Sequence, residues 1–239
     1  MYVIHEVHRV AGRHADEFAE LYRTGWGGSL ADSTDARLLW FLEQGHGGGP
    51  SYTFLTLTGV ASLDALGALH ERVRHGDLQA WQRDVDALRH EATAKVLVPT
   101  HFSPWQSIDL REVPAPGTND WGPALPLFME DTAWPHPGML DAYLSKAGTL
   151  YVETLEKAKT AGFGILEMVA AFQPMFGAGP EREIVLWQRV AQPKMLTGLF
   201  QHEVRPELRA PGTWMHDALD VRDQWQSRLL RVASWSPLA

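Results

Sequence analysis

The 239-residue chain contains no cysteine, which excludes disulfides, thiolate metal sites and a cysteine nucleophile, and fits a reducing compartment. It has no lysine- or arginine-rich run, and its 21 basic residues against 29 acidic ones leave a net charge of −8. A general affinity for nucleic acid or anionic membrane needs a positive field and is not expected. The opening MYVIHEVHRVAGRHADEF reaches charged residues at once, so it reads neither as a signal peptide nor as a membrane span, and a cytoplasmic location is expected. No G-x-S-x-G elbow occurs, which disfavours a hydrolase of that class.

What is present is an ordinary globular composition, 45% hydrophobic and 21% charged, with ten tryptophans. Such rings build cores and apolar ligand pockets alike: Trp40, Trp187, Trp214, Trp225 and Trp235 with Phe54, Phe172 and Phe200 are the expected apolar lining, with Trp214 and Trp225 expected on helices and in the core. The chain also repeats itself. LLWFLEQGHGGGPSYTFLTLTGVASLDALGALHERV from Leu38 aligns with MVAAFQPMFGAGPEREIVLWQRVAQPKMLTGLFQHEV from Met168, matching Gly49-Pro50 to Gly179-Pro180 and Val60-Ala61 to Val190-Ala191. THFSPW around Ser103-Pro104 answers ASWSPL around Ser236-Pro237, and at the beginnings Glu6 is set on Glu130.

Within the first half, residues 2–10, 37–43, 52–60 and 95–102 read as strands, and residues 13–23, 63–75 and 78–94 carry helical periodicity. GHGGGP joins two strands rather than a strand and a helix, so it reads as a hairpin connection and not a phosphate loop. The second half repeats the order with a longer first helix, 138–161. REVPAPGTNDWGPALP, rich in proline and glycine, reads as a linker over 111–126. The expected organisation is a first βαββαβ repeat over 1–110, the linker, and a second repeat over 127–239. A four-stranded sheet with helices on one face leaves its other face bare. Two such sheets packed face to face shield each other and form an α+β barrel with helices outside and a small-molecule pocket within.

These residues resemble the dimeric α/β-barrel (ferredoxin-like) superfamily, and within it the NIPSNAP-like domains, which open with a YELRxY-type strand followed by a Pro-Gly turn and a helix. MYVIHEVHRVAGRHADEF is similar to that opening, and Gly162 to Pro237 follows the family order of strand, Gly-Pro hairpin, strand ending in Trp187, helix and Trp-Ser-Pro strand. The resemblance implies a pocket between sheet and helices. It does not imply one chemistry, because the superfamily holds cofactor-independent oxygenases, cyclases and isomerases, haem enzymes, and domains without known activity.

Strand alternation puts Glu6 and His8 on one face with Tyr2 and Ile4, and Glu130 on one face with Phe128, Thr132 and Trp134. These more polar sets are expected to face the barrel interior. A carboxylate there, Glu6 or Glu130, with His8 beside it, is the candidate general base on an acidic C–H or phenol; an ion pair on the sheet face is the competing reading. Trp40, Trp187, Phe54, His101 and Trp26 are candidate substrate-binding residues, suited to a flat hydrophobic or aromatic metabolite. His5 points away from Glu6 and His8, so no metal site is assigned to this strand, and a ligand set of Glu6 and His8 would need His101 to complete it.

The functional expectation is therefore a small-molecule enzyme, a cofactor-independent oxygenase, cyclase or isomerase. The alternatives are a non-catalytic small-molecule carrier and a haem-binding enzyme ligated by one of His70, His75, His90, His202 or His216. With both halves in one chain a monomer suffices, and homo-oligomers through the helices stay open.

Overall fold

The computed structural model describes residues 1–177, 179 and 182–239, except the side chains of residues 199 and 200. Pro180 of the Gly-Pro match and the side chain of Phe200, one of the expected aromatic groups, lie outside the described residues. The strands are β1 (Tyr2–Val10), β2 (Ala36–Gln44), β3 (Thr53–Val60), β4 (Arg89–Pro99), β5 (Leu127–Pro135), β6 (Leu166–Phe176), β7 (Ile184–Val190) and β8 (Arg222–Val232). The helices are α1 (Ala15–Leu21), α2 (Leu63–Arg74), α3 (Gln79–Leu88), α4 (Leu140–Lys146), α5 (Val152–Thr160), α6 (Leu196–Gln201) and α7 (Trp214–Asp217). Among the described residues no helix is long and apolar enough to cross a membrane.

All eight strands close one antiparallel barrel in the order β1-β3-β2-β8-β5-β7-β6-β4. The first four strands run β4-β1-β3-β2 and the last four β8-β5-β7-β6, the same order twice. The irregularities recur as well: β1 shifts register against β4 at Arg9/Val10, and β5 against β8 at Trp134/Pro135. β2 does so at Leu38/Trp40 and β6 at Met168/Ala170. The Ser-Pro turns cross between the halves in matching fashion. Ser103 Oγ accepts from the Ala171 amide on β6 at 3.0 Å and donates to Trp105 O, while Ser236 Oγ accepts from the Phe41 amide on β2 at 3.1 Å and donates to Leu238 O.

The barrel is filled by side chains. Leu39, Leu55, Leu57, Phe128, Trp187 and Leu230 are among its buried residues, and Trp40, Phe128 and Trp187 pack as a triangle of rings with centroids 5.2–6.0 Å apart. An eight-stranded barrel is just wide enough for side chains to fill. The expected ligand pocket at its centre is replaced by core. β2 and β3 are buried on both faces, inward on this core and outward on helices, which is why their sequences run apolar rather than alternating. Two further cores lie outside the barrel wall, one under α1, α2 and α3 and one under α4, α5 and α7.

Three expectations need correction. The helix expected over 78–94 ends at Leu88, and β4 starts at Arg89. RHEATAK hides this strand because its residues are largely solvent-facing. Trp225, expected on a helix, stands on β8 with half its surface exposed. The 111–126 segment is more than a spacer: Val113 is buried in the barrel core, and Asn119 and Trp121 donate to the carbonyls of Pro237 and Ser236 at 2.7 and 2.9 Å.

Candidate active site

The position of each polar residue on the opening strands follows from register. β1 and β5 are both nine residues long, so the fourth residue is His5 in one and Glu130 in the other, and the fifth is Glu6 and Asp131. Glu6 therefore corresponds to Asp131 and not to Glu130. A slip of one residue turns a side chain to the opposite face of a sheet, and Glu6 and Glu130 lie on opposite faces of the barrel wall.

Glu130 points inward. Its Oε2 lies 2.6 Å from His5 Nε2 and its Oε1 accepts from Arg228 Nη1 at 2.7 Å, with His5 and Glu130 each 1% exposed. Burial alone would raise its pKa, but the charges of His5, Arg228 and Lys95 and the His5 hydrogen bond outweigh it and hold Glu130 at about 2. Bonded to His5 and Arg228, Glu130 has the geometry of the competing reading, an ion pair, and is poorly placed to take up a proton.

Glu6 points outward, into a cleft of about 220 Å³ between the sheet and helices α2 and α3, with Ile4, Trp26, Leu69, Trp81 and Val96 among its walls. The cleft is wide enough for one or two rings, since a cavity of about 150 Å³ accepts benzene. Burial pushes the Glu6 carboxyl above its ordinary range, against the opposing pull of Arg89 and of hydrogen bonds from Thr56 and Tyr22.

A chain of donors supports Glu6 from behind. Arg89 Nη1 lies 2.8 Å from His8 Nδ1. Arginine only donates, so Nδ1 accepts and the proton of neutral His8 sits on Nε2. Nε2 stands 3.3 Å from Thr56 Oγ1 and 3.2 Å from the Tyr22 hydroxyl, and Thr56 Oγ1 donates to Glu6 Oε2 at 3.4 Å. Burial and the Arg89 charge hold His8 well below its usual pKa, and burial holds Tyr22 well above its own. Arg89 is itself neutralised by Asp86 at 2.5 Å.

The ceiling of the cleft depends on a local widening of the helix. After α1 the backbone passes into a π-helical segment, Tyr22–Gly27, a form common at functional sites. This brings Trp26 down onto the sheet, where its Nε1 donates to Thr58 Oγ1 at 2.9 Å and its rings stack on Trp81 at 4.9 Å. Gly25 makes room: a Cβ there would stand 2.2 Å from Trp81 Cδ1.

Of the expected site residues, the structure thus brings Glu6, His8 and Trp26 together. Trp40 and Trp187 are in the barrel core, and their indole N–H groups have no hydrogen-bond partner among the described residues. Phe54 packs against Phe18 and Phe41 on the helix side, away from the Glu6 cleft. His101 is exposed on the turn after β4, edge-on to Phe102, and joins no ligand set with Glu6 and His8. Among the described residues no group of three or more His, Asp or Glu side chains is arranged to hold a metal ion. Tyr22, Thr56, Trp81 and Arg89 were missed. Tyr22 stands one turn after Phe18 on the inner face of the first helix and was readable, whereas Arg89 was hidden by the misplaced start of β4.

Corresponding positions of the second half build a second cleft, of about 190 Å³, lined by Asp131, Tyr143, Tyr151, Trp214, Arg222 and Trp225 among others. A second π-helical segment, Ala147–Tyr151, places Tyr151 as Trp26 is placed, its hydroxyl bonded to Gln188 Oε1. A larger surface groove of about 320 Å³ runs past His136 and Arg182 but has no buried carboxylate among its described residues.

No family model and no curated protein sequence matches this chain. Among solved structures, a candidate monooxygenase from Lactobacillus acidophilus NCFM aligns over 99% of this chain and 97% of its own, with a TM-score of 0.57 at 9% identity. An anthrone oxidase-like protein aligns over 97% of this chain and 91% of its own, with a TM-score of 0.54 at 10% identity. A NIPSNAP domain protein from Burkholderia xenovorans aligns along its whole length with 44% of this chain, at 21% identity and a TM-score of 0.37. The protein thus shares its overall fold with a candidate monooxygenase and with an anthrone oxidase-like protein.

Proposed function

We propose that the protein is a small-molecule oxygenase that needs no cofactor and uses Glu6 as general base on a one- or two-ring phenolic or similarly acidic aromatic substrate. The reading includes the chain's organisation as two ferredoxin-like repeats, 1–110 and 127–239, joined by 111–126. The observation that carries it is a carboxylate of raised pKa opening into an aromatic cleft, backed by a neutral histidine. The full-length likeness to a candidate monooxygenase and to an anthrone oxidase-like protein supports the class.

With a naphthol, Glu6 takes the hydroxyl proton and the ring becomes an electron-rich anion. Its para carbon bonds to dioxygen, and the terminal oxygen collects the proton from Glu6. The carboxylate then removes the ring hydrogen from that carbon, a C=O forms, the O–O bond breaks and hydroxide leaves. Hydroxide and the proton on Glu6 give water, so naphthol and dioxygen yield naphthoquinone and water with the base restored. A raised pKa suits a group that both accepts and returns a proton. His8 and Thr56 position the carboxylate, and the indoles of Trp26 and Trp81 present flat apolar surface to the ring.

The test is dioxygen uptake and quinone formation with a panel of naphthols. The wild type turns over at least one, and Glu6→Gln loses about 100-fold or more while keeping its fold by circular dichroism. Full activity in Glu6→Gln, or release of every bound panel member unchanged by the wild type, overturns the proposal.

A further inference from the structure

The two clefts treat corresponding arginines differently. Val10 on β1 pairs with Arg89, and Pro135 on β5 pairs with Arg222. Arg89 is occupied by Asp86 and His8. Arg222 is 8% exposed, lines the second cleft beside Asp131 and Tyr143, and forms no ion pair among the described residues; its guanidinium carbon lies 4.3 Å from the Trp225 centroid and 5.6 Å from that of Trp214. Its Nε lacks a hydrogen-bond partner among the described residues, as does the hydroxyl of Tyr143, which lines the same cleft and is fully buried.

The nearest carboxylate does not neutralise it. Asp131 is turned to Ser227 at 2.5 Å and Gln188 at 3.0 Å, and forms no ion pair with Arg222. Burial pushes Asp131 above its usual range against the pull of Ser227, Gln188 and the Arg222 charge, and pushes Tyr143 up to about 12, so the phenol keeps its proton. A buried guanidinium whose neighbouring carboxylate is bonded elsewhere is poorly compensated, and a planar carboxylate matches its fork. The rim is apolar, formed by Met215, Leu219 and Trp225, each between 43% and 51% exposed.

We infer that this second cleft is a binding site for a small aromatic carboxylate, with Arg222 as counter-ion, the Tyr143 hydroxyl as second donor, and Trp214 and Trp225 against the ring. The site is separate from the Glu6 cleft and does not depend on what Glu6 does.

Isothermal titration of the full chain with naphthoate and with its neutral amide tests this. The wild type binds naphthoate one to one and about tenfold or more tighter than the amide, the scale of a hydrogen bond to a charged group. Arg222→Met abolishes that preference, and Glu6→Gln leaves it intact. Should Arg222→Met fail to fold, Tyr143→Phe removes an unpartnered buried hydroxyl without changing the core's shape, and is expected to reduce the preference severalfold. Absence of a carboxylate preference in the wild type, its survival in whichever of these variants folds, or its loss in Glu6→Gln overturns the inference.

Discussion

The two sheet-and-helix clefts have the same architecture and opposite electrostatics. In the first, a carboxylate faces the cavity and the arginine behind it is neutralised by Asp86 and bonded to His8. In the second, the carboxylate is occupied by Ser227 and Gln188 while the arginine is left with aromatic faces. What makes one cleft basic and the other cationic is therefore the set of neighbours around each acid and arginine. Strand order, π-helical widening and cavity size stay nearly the same.

The comparison can be broken most sharply at Glu6. Glu6→Gln is expected to cost about 100-fold or more in kcat, measured as dioxygen uptake, whereas Asp131→Asn leaves kcat near the wild-type value. Equal losses would mean that the clefts are not specialised. Next is Glu130, assigned here to structure. Glu130→Gln leaves His5 and Arg228 without their buried partner and is expected to cost about 3 kcal/mol by urea denaturation, with kcat preserved in the folded fraction.

The same residue gives a pH signature. Its folded pKa of about 2 lies below the ordinary value of 4.5, so its contribution to stability is present above pH 4.5 and is lost as pH falls toward 2. Glu130→Gln should flatten that part of the stability profile. Smaller still is Thr56→Val, which removes a hydrogen bond favouring ionised Glu6. The acid limb of the kcat–pH profile should move to higher pH. The smallest effect is expected at the cleft ceiling: Trp81→Leu should raise KM several-fold with little change in kcat, by removing flat contact area.

Much of the fold was legible. The Ser-Pro turns at 103 and 236 and the hairpin strands fell where the repeats placed them, because punctuation by proline and glycine survives divergence better than identity does. The site was legible only in part. Glu6, His8 and Trp26 lie together as expected, but pairing Glu6 with Glu130 was wrong by one residue, and in a strand one residue is the difference between the two sides of a wall. The matched Val60 and Val190 fix the offset once strand pairing is known, and they identify Asp131. Arg89 and Arg222 were missed because β4 and β8 show polar residues to solvent and carry no alternating signature.

His5 and Glu130 stand at the same place in their respective strands, yet they bond directly to each other across the barrel. In an assembly of two identical chains around a true dyad, such a spot would set a residue against its own image, imidazole on imidazole or carboxylate on carboxylate. Within a single chain that restriction is lifted, because the two matching places can be filled by chemically unlike partners. An acid–base clasp at the centre of symmetry thus commits either half to the other: neither could pair there with a second copy of itself without placing like groups in contact.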